Sequence, residues 1–150
     1  MFRHLLVSLD GTRRAEAAIA CSLELAKIAS ANVLLVRVVN TMGAQRARRG
    51  ERGRMGMAAR SDALHAEAAD EAAQYLDRHA RNIRAYGVDV ATEVRFGEPA
   101  AEIVAGALEH SADTMILATN ARRGMDRLML GSVAERVVAI SRVPVILLRA

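Results

Sequence analysis

The sequence predicts a single α/β domain built on a parallel sheet, and three observations support this prediction. Short apolar runs alternate along the chain with stretches of helical periodicity, which is the order that right-handed crossovers between parallel strands require. The second apolar run, NVLLVRVV, alternates very little, as expected for a strand covered on both faces. A length of 150 residues is typical of one domain, so residues 1–150 are expected to form one unit.

The first part of the chain supplies two strands and the helix between them. His4–Leu9 is predicted to be a short buried strand that ends at the turn Asp10-Gly11-Thr12. Apolar residues at three- and four-residue steps predict a helix from Arg13 to about Ser30, with Thr12 as its N-cap. Asn32–Val39 is predicted to be the second strand.

Residues 41–60 differ in composition from the rest of the chain. They contain six arginines, four glycines and few large aliphatic residues. Clustered like charges with glycine bury too little apolar surface to offset the entropy of ordering, so the sequence predicts a mobile loop here that folding does not require. The stretch QRARRGERGR within it also suggests nucleic-acid binding, but it has no aromatic residue and no recognised reading motif, which argues against that function.

The second part of the chain continues the alternation. Recurring acidic residues and a stripe of leucine and alanine predict a long helix from Ser61 to about Tyr86, ended by Gly87. Val88–Phe96 alternates between polar and apolar residues, so we expect an edge strand. The remaining elements are predicted as a helix from Pro99 to about His110, a strand at Thr114–Leu117, a helix at Ser132–Ser141 and a strand at Val143–Leu148.

Composition limits the classes of function. The net charge of +4 comes almost wholly from arginine, since Lys27 is the only lysine, and it favours anionic partners weakly. Aromatic residues are 3% of the chain, so platforms for stacking nucleic-acid bases are scarce. Cys21 is the only cysteine, which excludes an internal disulfide and agrees with a reducing compartment. No apolar run approaches transmembrane length, and we expect a cytoplasmic protein without a membrane partner.

Catalytic and metal-binding patterns are not found in the sequence. The four histidines are scattered, without a pair at metal-ligand spacing, and no Ser-His-Asp or Cys-His arrangement is indicated by order or motif. We therefore expect no catalytic residue and no metal site formed by the protein alone.

The stretch ILATNARRGMDRLMLGSVAERV, Ile116 to Val137, has the layout of a strand, a phosphate-binding loop and a helix N-terminus. The helix opens at Gly131-Ser132, and Arg122 is one of three arginines in the loop that add positive charge. Two alanines, Ala118 and Ala121, stand where such a loop favours glycine. Their backbone N–H groups can still donate, so they weaken binding only where the backbone needs a positive φ or where a methyl group takes the space of the phosphate. Ala121, inside the turn, is the more serious departure.

Four motifs resemble the universal stress protein family over essentially the whole chain: VSLDGT, FGEPAAEIV, ARRGMDRLMLGSVAERVV and VPVILLR. The last two are the most specific. The resemblance implies a flavodoxin-like, doubly wound parallel sheet of order 3-2-1-4-5 with helices on both faces. It also implies a dimer in most members, an adenine nucleotide in many but not all of them, and at most slow ATP hydrolysis.

The resemblance also implies which residues contact a nucleotide. Members that bind ATP carry glycine, two residues, glycine, nine residues and then Gly-Ser or Gly-Thr after the fourth strand. This spacing is intact here, but both early glycines are replaced. The corresponding positions are Ala118, Ala121, Gly131 and Ser132. The other implied contacts are Asp10 with the ribose or with nucleotide-bound Mg²⁺, Val38 with the adenine, Leu117 and Val133.

Three functions remain open at this point. The first is a dimeric stress-response or signalling module with a degenerate site that binds ATP or AMP weakly. The second is an interaction module that has lost its nucleotide and binds an unknown client protein. The third is nucleic-acid binding through the arginine-rich loop. For the first two we expect a homodimer through Val143–Arg149, because an apolar edge strand left open can pair with its own copy.

Overall fold

The computed structural model describes residues 1–41, 55–119 and 131–149, and the side chains of residues 55–61 lie outside that description. In chain order the elements are β1 (His4–Ser8), α1 (Glu16–Ala29), β2 (Asn32–Val39), α2 (Met55–Arg84), β3 (Val90–Phe96), α3 (Pro99–Glu109), β4 (Thr114–Thr119), α4 (Ser132–Ile140) and β5 (Val145–Arg149). All the strand pairs are parallel and their order is β3-β2-β1-β4-β5. The predicted flavodoxin-like, doubly wound fold is therefore confirmed.

Two apolar layers cover the sheet, one on each face. Neighbouring residues of β1 point to opposite faces, so Leu5 joins one layer and Leu6 the other. Helices α1 and α2 close the first layer, where Ala18 and Leu76 are fully buried. Helices α3 and α4 close the second layer, in which Ile103 is buried. Because both faces of the central strands are covered, these strands carry apolar runs without alternation.

The two edges of the sheet are β3 and β5, as predicted by the polar alternation of β3 and by the strand order that the family resemblance implies. Four apolar residues of β5 are only partly buried, namely Val145, Ile146, Leu147 and Leu148. No strand within the described residues pairs with the outer edge of β5. This edge is thus the sheet's open apolar margin.

Helix α1 begins three residues after the predicted position. Its N-cap is Ala15, without a side-chain capping bond, and Thr12 belongs to the turn before it, where its Oγ1 accepts a 3.4 Å hydrogen bond from the N–H of Ala15. The prediction that Thr12 caps the helix is wrong because residues 12–15 form a separate turn, in which the N–H of Ala15 donates to the carbonyl of Thr12 at 3.1 Å, and α1 begins only after it. Within this turn Thr12 donates two hydrogen bonds to Asp10. The Asp10 Oδ1 atom accepts from the backbone N–H at 2.9 Å and from the hydroxyl at 2.6 Å.

Helix α2 begins earlier than predicted, at Met55 rather than Ser61. Residues 55–60 were assigned to the arginine- and glycine-rich loop from their composition, but they are helical. Methionine, alanine and arginine are strong helix formers, and the one glycine among them, Gly56, costs only about 1 kcal/mol. The rest of the predicted mobile loop, residues 42–54, lies outside the described residues. Helix α2 ends as predicted before Gly87, whose φ is +79°.

Helix α3 begins as predicted with Pro99 in its first turn. The Glu98 carboxylate caps it by accepting hydrogen bonds from the backbone N–H groups of Ala100 at 3.3 Å and Ala101 at 2.9 Å. None of the helices in the described ranges is long and apolar enough to cross a membrane.

Candidate functional site

A cavity of about 350 Å³ lies at the carboxyl ends of β1, β2 and β4. Strands β1 and β4 are neighbours where the strand order reverses, which is the position at which open parallel sheets bind their ligands. Its volume is within the range of small-molecule sites. The residues lining it are Ser8, Leu9, Asp10, Ala15, Arg37, Val38, Val39, Asn40, Ala68, Glu71, Pro99, Ile103, Leu117, Ala118, Val133 and Ala134.

The turn after β1 places a carboxylate in this cavity. The Asp10 Oδ1 atom is occupied by its two hydrogen bonds from Thr12, which fix the carboxylate's orientation. The Oδ2 atom has no hydrogen bond within the described part of the chain. Gly11 follows with a φ of +85°, a conformation that other residues adopt only with strain. The turn therefore holds one open acceptor at the edge of the cavity.

The cavity is also lined by Arg37, a charged residue that was not among the predicted contacts. Its Nη2 atom lies 3.4 Å from Glu71 Oε1, and its Cζ atom lies 5.1 Å from the centre of the Tyr75 ring. A Cβ atom on Gly11 would lie 3.0 Å from the same Nη2 atom. The signal for Arg37 was present in the sequence as one arginine within the apolar run NVLLVRVV.

Charge is confined to a few of the lining residues. Among those described, the charged ones are Asp10, Glu71 and Arg37. Arg37 meets the Asp10-Gly11 turn, so these groups form one polar end of the cavity. The remaining walls are mostly aliphatic. Such a cavity suits a ligand with one flat or apolar part and one hydrogen-bonding part.

Tyr75 stands behind the polar end of the cavity. It is 6% exposed, and its hydroxyl group has no hydrogen-bond partner within the described residues. Burial raises the pKa of this hydroxyl, and the negative charges of Glu16 and Asp10 raise it further. The edge of the ring meets His79 at a centroid distance of 4.6 Å. Tyr75 thus supports Arg37 with its aromatic face and does not line the cavity itself.

The nine residues predicted to contact a nucleotide are not all found at the cavity. Five of them line it: Asp10, Val38, Leu117, Ala118 and Val133. Gly131 and Ser132 open α4 beside Val133 but do not line the cavity, and Gly131 has the left-handed φ of +58°. Ala121 and Arg122 lie outside the described residues. The contact of each residue with a nucleotide stays a prediction.

The described ranges contain no cluster of metal ligands, and their one cysteine is a weak nucleophile. No group of three or more His, Cys, Asp or Glu side chains there is placed to hold a metal ion. Cys21 lies partly buried on α1, and burial together with the charge of Glu24 raises the pKa of its thiol. A raised pKa lowers the fraction of reactive thiolate, which agrees with a packing role.

The doubly wound sheet of order β3-β2-β1-β4-β5 defines the class of flavodoxin-like α/β proteins, and its cavity lies at the switch point where proteins of this class bind ligands. The universal stress protein family model matches residues 1–149. The chain therefore belongs to the universal stress protein family.

Two curated proteins illustrate the relationship. Universal stress protein YxiE of Bacillus subtilis is 26% identical over 153 residues, which cover 99% of this chain and 100% of that protein. Universal stress protein MJ0531 of Methanocaldococcus jannaschii is 35% identical over 80 residues. That match spans 53% of this chain and about half, 47%, of the relative.

Solved structures share the fold. The hypothetical protein MJ0577 superposes with a TM-score of 0.81 at 21% identity, covering 100% of this chain and 97% of the other. A universal stress protein in complex with cAMP gives a TM-score of 0.66 at 18% identity, with 98% and 96% of the two chains covered. The universal stress protein of Archaeoglobus fulgidus in complex with dAMP gives 0.64 at 21% identity, with 97% and 96% covered.

Proposed function

We propose that this protein is a stress-response or signalling module that binds an adenine nucleotide, ATP or AMP, in the cavity at the ends of β1, β2 and β4. The observation that carries the proposal is the convergence of five family contact positions on one cavity of about 350 Å³. Relatives with the same fold supply the ligand class, since two of them are complexes with cAMP and dAMP.

Each part of the cavity matches one part of a nucleotide. The adenine lies against the aliphatic wall, with the backbone of Val38 at its edge and Leu117 against its face. The Oδ2 atom of Asp10, which Thr12 leaves open, accepts a hydrogen bond from a ribose hydroxyl group or binds the Mg²⁺ ion that accompanies the nucleotide. The phosphates extend toward Gly131 and Ser132, where the first N–H groups of α4 are free to donate to an anion.

Binding is expected to be weak because both early glycines of the family loop are alanine. Ala118 lines the cavity, so its methyl group takes part of the space that a glycine leaves to the phosphate. Ala121 replaces the second glycine, and alanine costs about 1 kcal/mol at any position where a nucleotide-binding loop requires a left-handed backbone. The cation of Arg122 offsets part of this loss by attracting the phosphates.

The protein's role in this proposal is binding, with at most slow ATP hydrolysis. In the described ranges Asp10 is fixed by Thr12 and holds the ligand, and no nucleophile with a neighbouring base has been identified beside it. We propose that the module is a cytoplasmic homodimer through Val143–Arg149, because the partly exposed apolar residues of β5 fit a second copy of the same edge. Its client protein is not identified by any of these features.

A second candidate function is an interaction module of the same family without a nucleotide, and the presence of Ala118 at the cavity wall favours it. Calorimetric titration of the natural protein and of Asp10→Ala with ATP and Mg²⁺ separates the two. The nucleotide proposal expects measurable binding that weakens roughly 10-fold in Asp10→Ala, as loss of a charged hydrogen bond requires. The nucleotide proposal would be contradicted if the natural protein gave no heat with millimolar ATP or AMP and released no nucleotide detectable by mass spectrometry. That result would favour the second function.

A further inference from the structure

Two side chains of opposite charge flank Gly11 at the polar end of the cavity. Asp10 precedes Gly11 in the chain and lines the cavity, and Arg37 reaches the same turn from β2. A Cβ atom on Gly11 would lie 3.0 Å from the Nη2 atom of Arg37 and 3.1 Å from its Cζ atom. The absence of a side chain at Gly11 is therefore what lets the guanidinium approach the turn.

The hydrogen-bonding capacities of the two groups are complementary. Asp10 can only accept, and its open atom is Oδ2 because Thr12 occupies Oδ1 twice. Arg37 can only donate, through five N–H groups. Its one hydrogen bond within the described residues is the 3.4 Å contact with Glu71, whose side chain is 74% exposed. Such a long, solvated pair is worth little, so a ligand can replace it at small cost.

A vicinal diol has the pattern that these two groups demand. One hydroxyl group can donate to the Oδ2 atom of Asp10 while the other accepts from an N–H of Arg37. A phosphate ester at the same place fits less well, because two carboxylates, Asp10 and Glu71, face one guanidinium there. The polar end thus favours free sugar hydroxyls over anions.

We propose that Arg37 is a specificity-determining residue that reads a ribose hydroxyl together with Asp10, so that the site selects nucleotides with a free 2′,3′-diol over deoxynucleotides. This inference rests on the proposed nucleotide function and adds a selectivity and a residue to it. A deoxynucleotide leaves either the exposed Asp10 carboxylate or the partly buried Arg37 guanidinium without its hydroxyl partner, and a site built to bond a hydroxyl group discriminates against an analogue that lacks it.

The test is calorimetric titration of the full chain with AMP, 2′-deoxy-AMP and 3′-deoxy-AMP. We expect the natural protein to bind AMP at least roughly 10-fold more tightly than either deoxynucleotide. In Arg37→Met this ratio should fall below about 3-fold, since only one of the two bonds remains. Arg78→Met is the matched control, because Arg78 also lies over the Tyr75 ring, at 6.0 Å, but does not line the cavity. It should keep the ratio of the natural protein.

The outcomes of these titrations distinguish a failure of the role of Arg37 from a failure of nucleotide binding itself. Equal affinities of AMP and the deoxynucleotides for the natural protein, or an unchanged ratio in Arg37→Met, would overturn the role of Arg37 while leaving nucleotide binding in place. Failure of the natural protein to bind AMP at all would overturn the proposed function as well. Circular dichroism and thermal melting show whether Arg37→Met folds. If it does not, Arg37→Gln is titrated in its place, and its affinity ratio of AMP to deoxynucleotide should also fall below about 3-fold. The glutamine side chain is shorter and uncharged, so it does not reach the turn at Gly11.

Discussion

Arg95 of β3 lies against Gly106 of α3, so closely that a Cβ atom on the glycine would be 3.2 Å from the arginine Cδ atom. From there its guanidinium donates to three carboxylates, at 2.8 Å to Glu93, 3.0 Å to Glu102 and 2.9 Å to Glu109. These hydrogen bonds raise the pKa of Arg95 and lower that of Glu109. One arginine thus holds an edge strand to the helix that follows it.

We expect Arg95→Met to lower the free energy of unfolding by about 2 kcal/mol, because it leaves a cluster of carboxylates without their cation. This loss of stability is smaller than the loss expected on breaking a fully buried ion pair, because Glu109 is 59% exposed and water can solvate its carboxylate in the variant. Urea denaturation followed by circular dichroism measures the change. Arg136→Met is the control, because its 3.7 Å pair with Glu98 is at the surface, and it should change stability by less than about 0.5 kcal/mol. Equal losses in the two variants would contradict this account of Arg95.

Asp113 should make stability depend on acidic pH. Burial opposes its ionisation, but the backbone N–H of Arg3 at 2.7 Å and the hydroxyl of Thr114 at 3.1 Å bring its pKa below the ordinary 3.8. Because the folded pKa is the lower one, the ionised group stabilises the fold above pH 3.8 and this contribution is lost as the pH falls through the folded pKa.

Asp113→Asn should therefore be less stable than the natural protein at pH 7 by about 1 kcal/mol, and the two should converge below pH 3.8. Urea midpoints between pH 7 and pH 2.5 measure this difference. Asp89 is exposed, so Asp89→Asn is the control at pH 7 and should change stability by less than about 0.5 kcal/mol. A constant difference between natural protein and Asp113→Asn at every pH would contradict the linkage.

Gly11 and Gly87 provide a matched pair for the polar end of the cavity. Both have a left-handed φ, +85° and +79°, but only Gly11 has Arg37 within 3.0 Å of a Cβ position, while nothing lies within 4 Å at Gly87. Each substitution by alanine should cost about 1 kcal/mol of stability through backbone strain. Only Gly11→Ala should also weaken AMP binding, by displacing Arg37. If Gly87→Ala weakens binding equally, the effect on affinity is one of stability alone.

The apolar edge of β5 should form the subunit interface. We expect light scattering to give twice the 16.2 kDa chain mass, and Leu148→Lys to shift the protein toward monomer, because a charge at the edge opposes strand pairing. Ile28→Lys is the control, since Ile28 is 84% exposed on α1, far along the chain from β5. A natural protein that is monomeric at high micromolar concentration would contradict the interface.

Restoring the family glycines should tighten nucleotide binding. The double change Ala118→Gly with Ala121→Gly restores both glycines of the family loop. Ala118 lies in β4 without a positive φ, so at that position the gain comes from the space that its methyl group takes at the cavity wall. We expect ATP to bind roughly 10-fold more tightly, which corresponds to about 1.4 kcal/mol. Adenosine, which has no phosphate, should gain little and serves as the control ligand. No gain for ATP would mean that the alanines do not limit binding.

The alternation of strands and helices could be predicted from the sequence because apolar runs and turns are local, whereas the strand order and the site positions were implied by the family resemblance. Five of those nine positions line the cavity, and their contact with a nucleotide stays a prediction. The Thr12 cap was predicted wrongly since the helical periodicity does not show that residues 12–15 form a separate turn, so that α1 begins only at Glu16. Arg37 was missed for a different reason. Its position depends on Gly11 and Glu71, which come from separate elements and meet only in the folded chain. The same holds for Arg95 and its three carboxylates.

The most direct test of the nucleotide site is to map AMP onto the protein by NMR, following the backbone amide shifts of the ¹⁵N-labelled natural chain during titration. The account expects the largest shifts in three stretches that converge on the cavity, residues 9–11, 38–39 and 117–118, followed by 132–133 at the start of α4. It expects no shift in α2 near Gly87, which lies outside the cavity lining. Shifts absent at saturating AMP, or confined to residues away from these strand ends, would contradict the central claim.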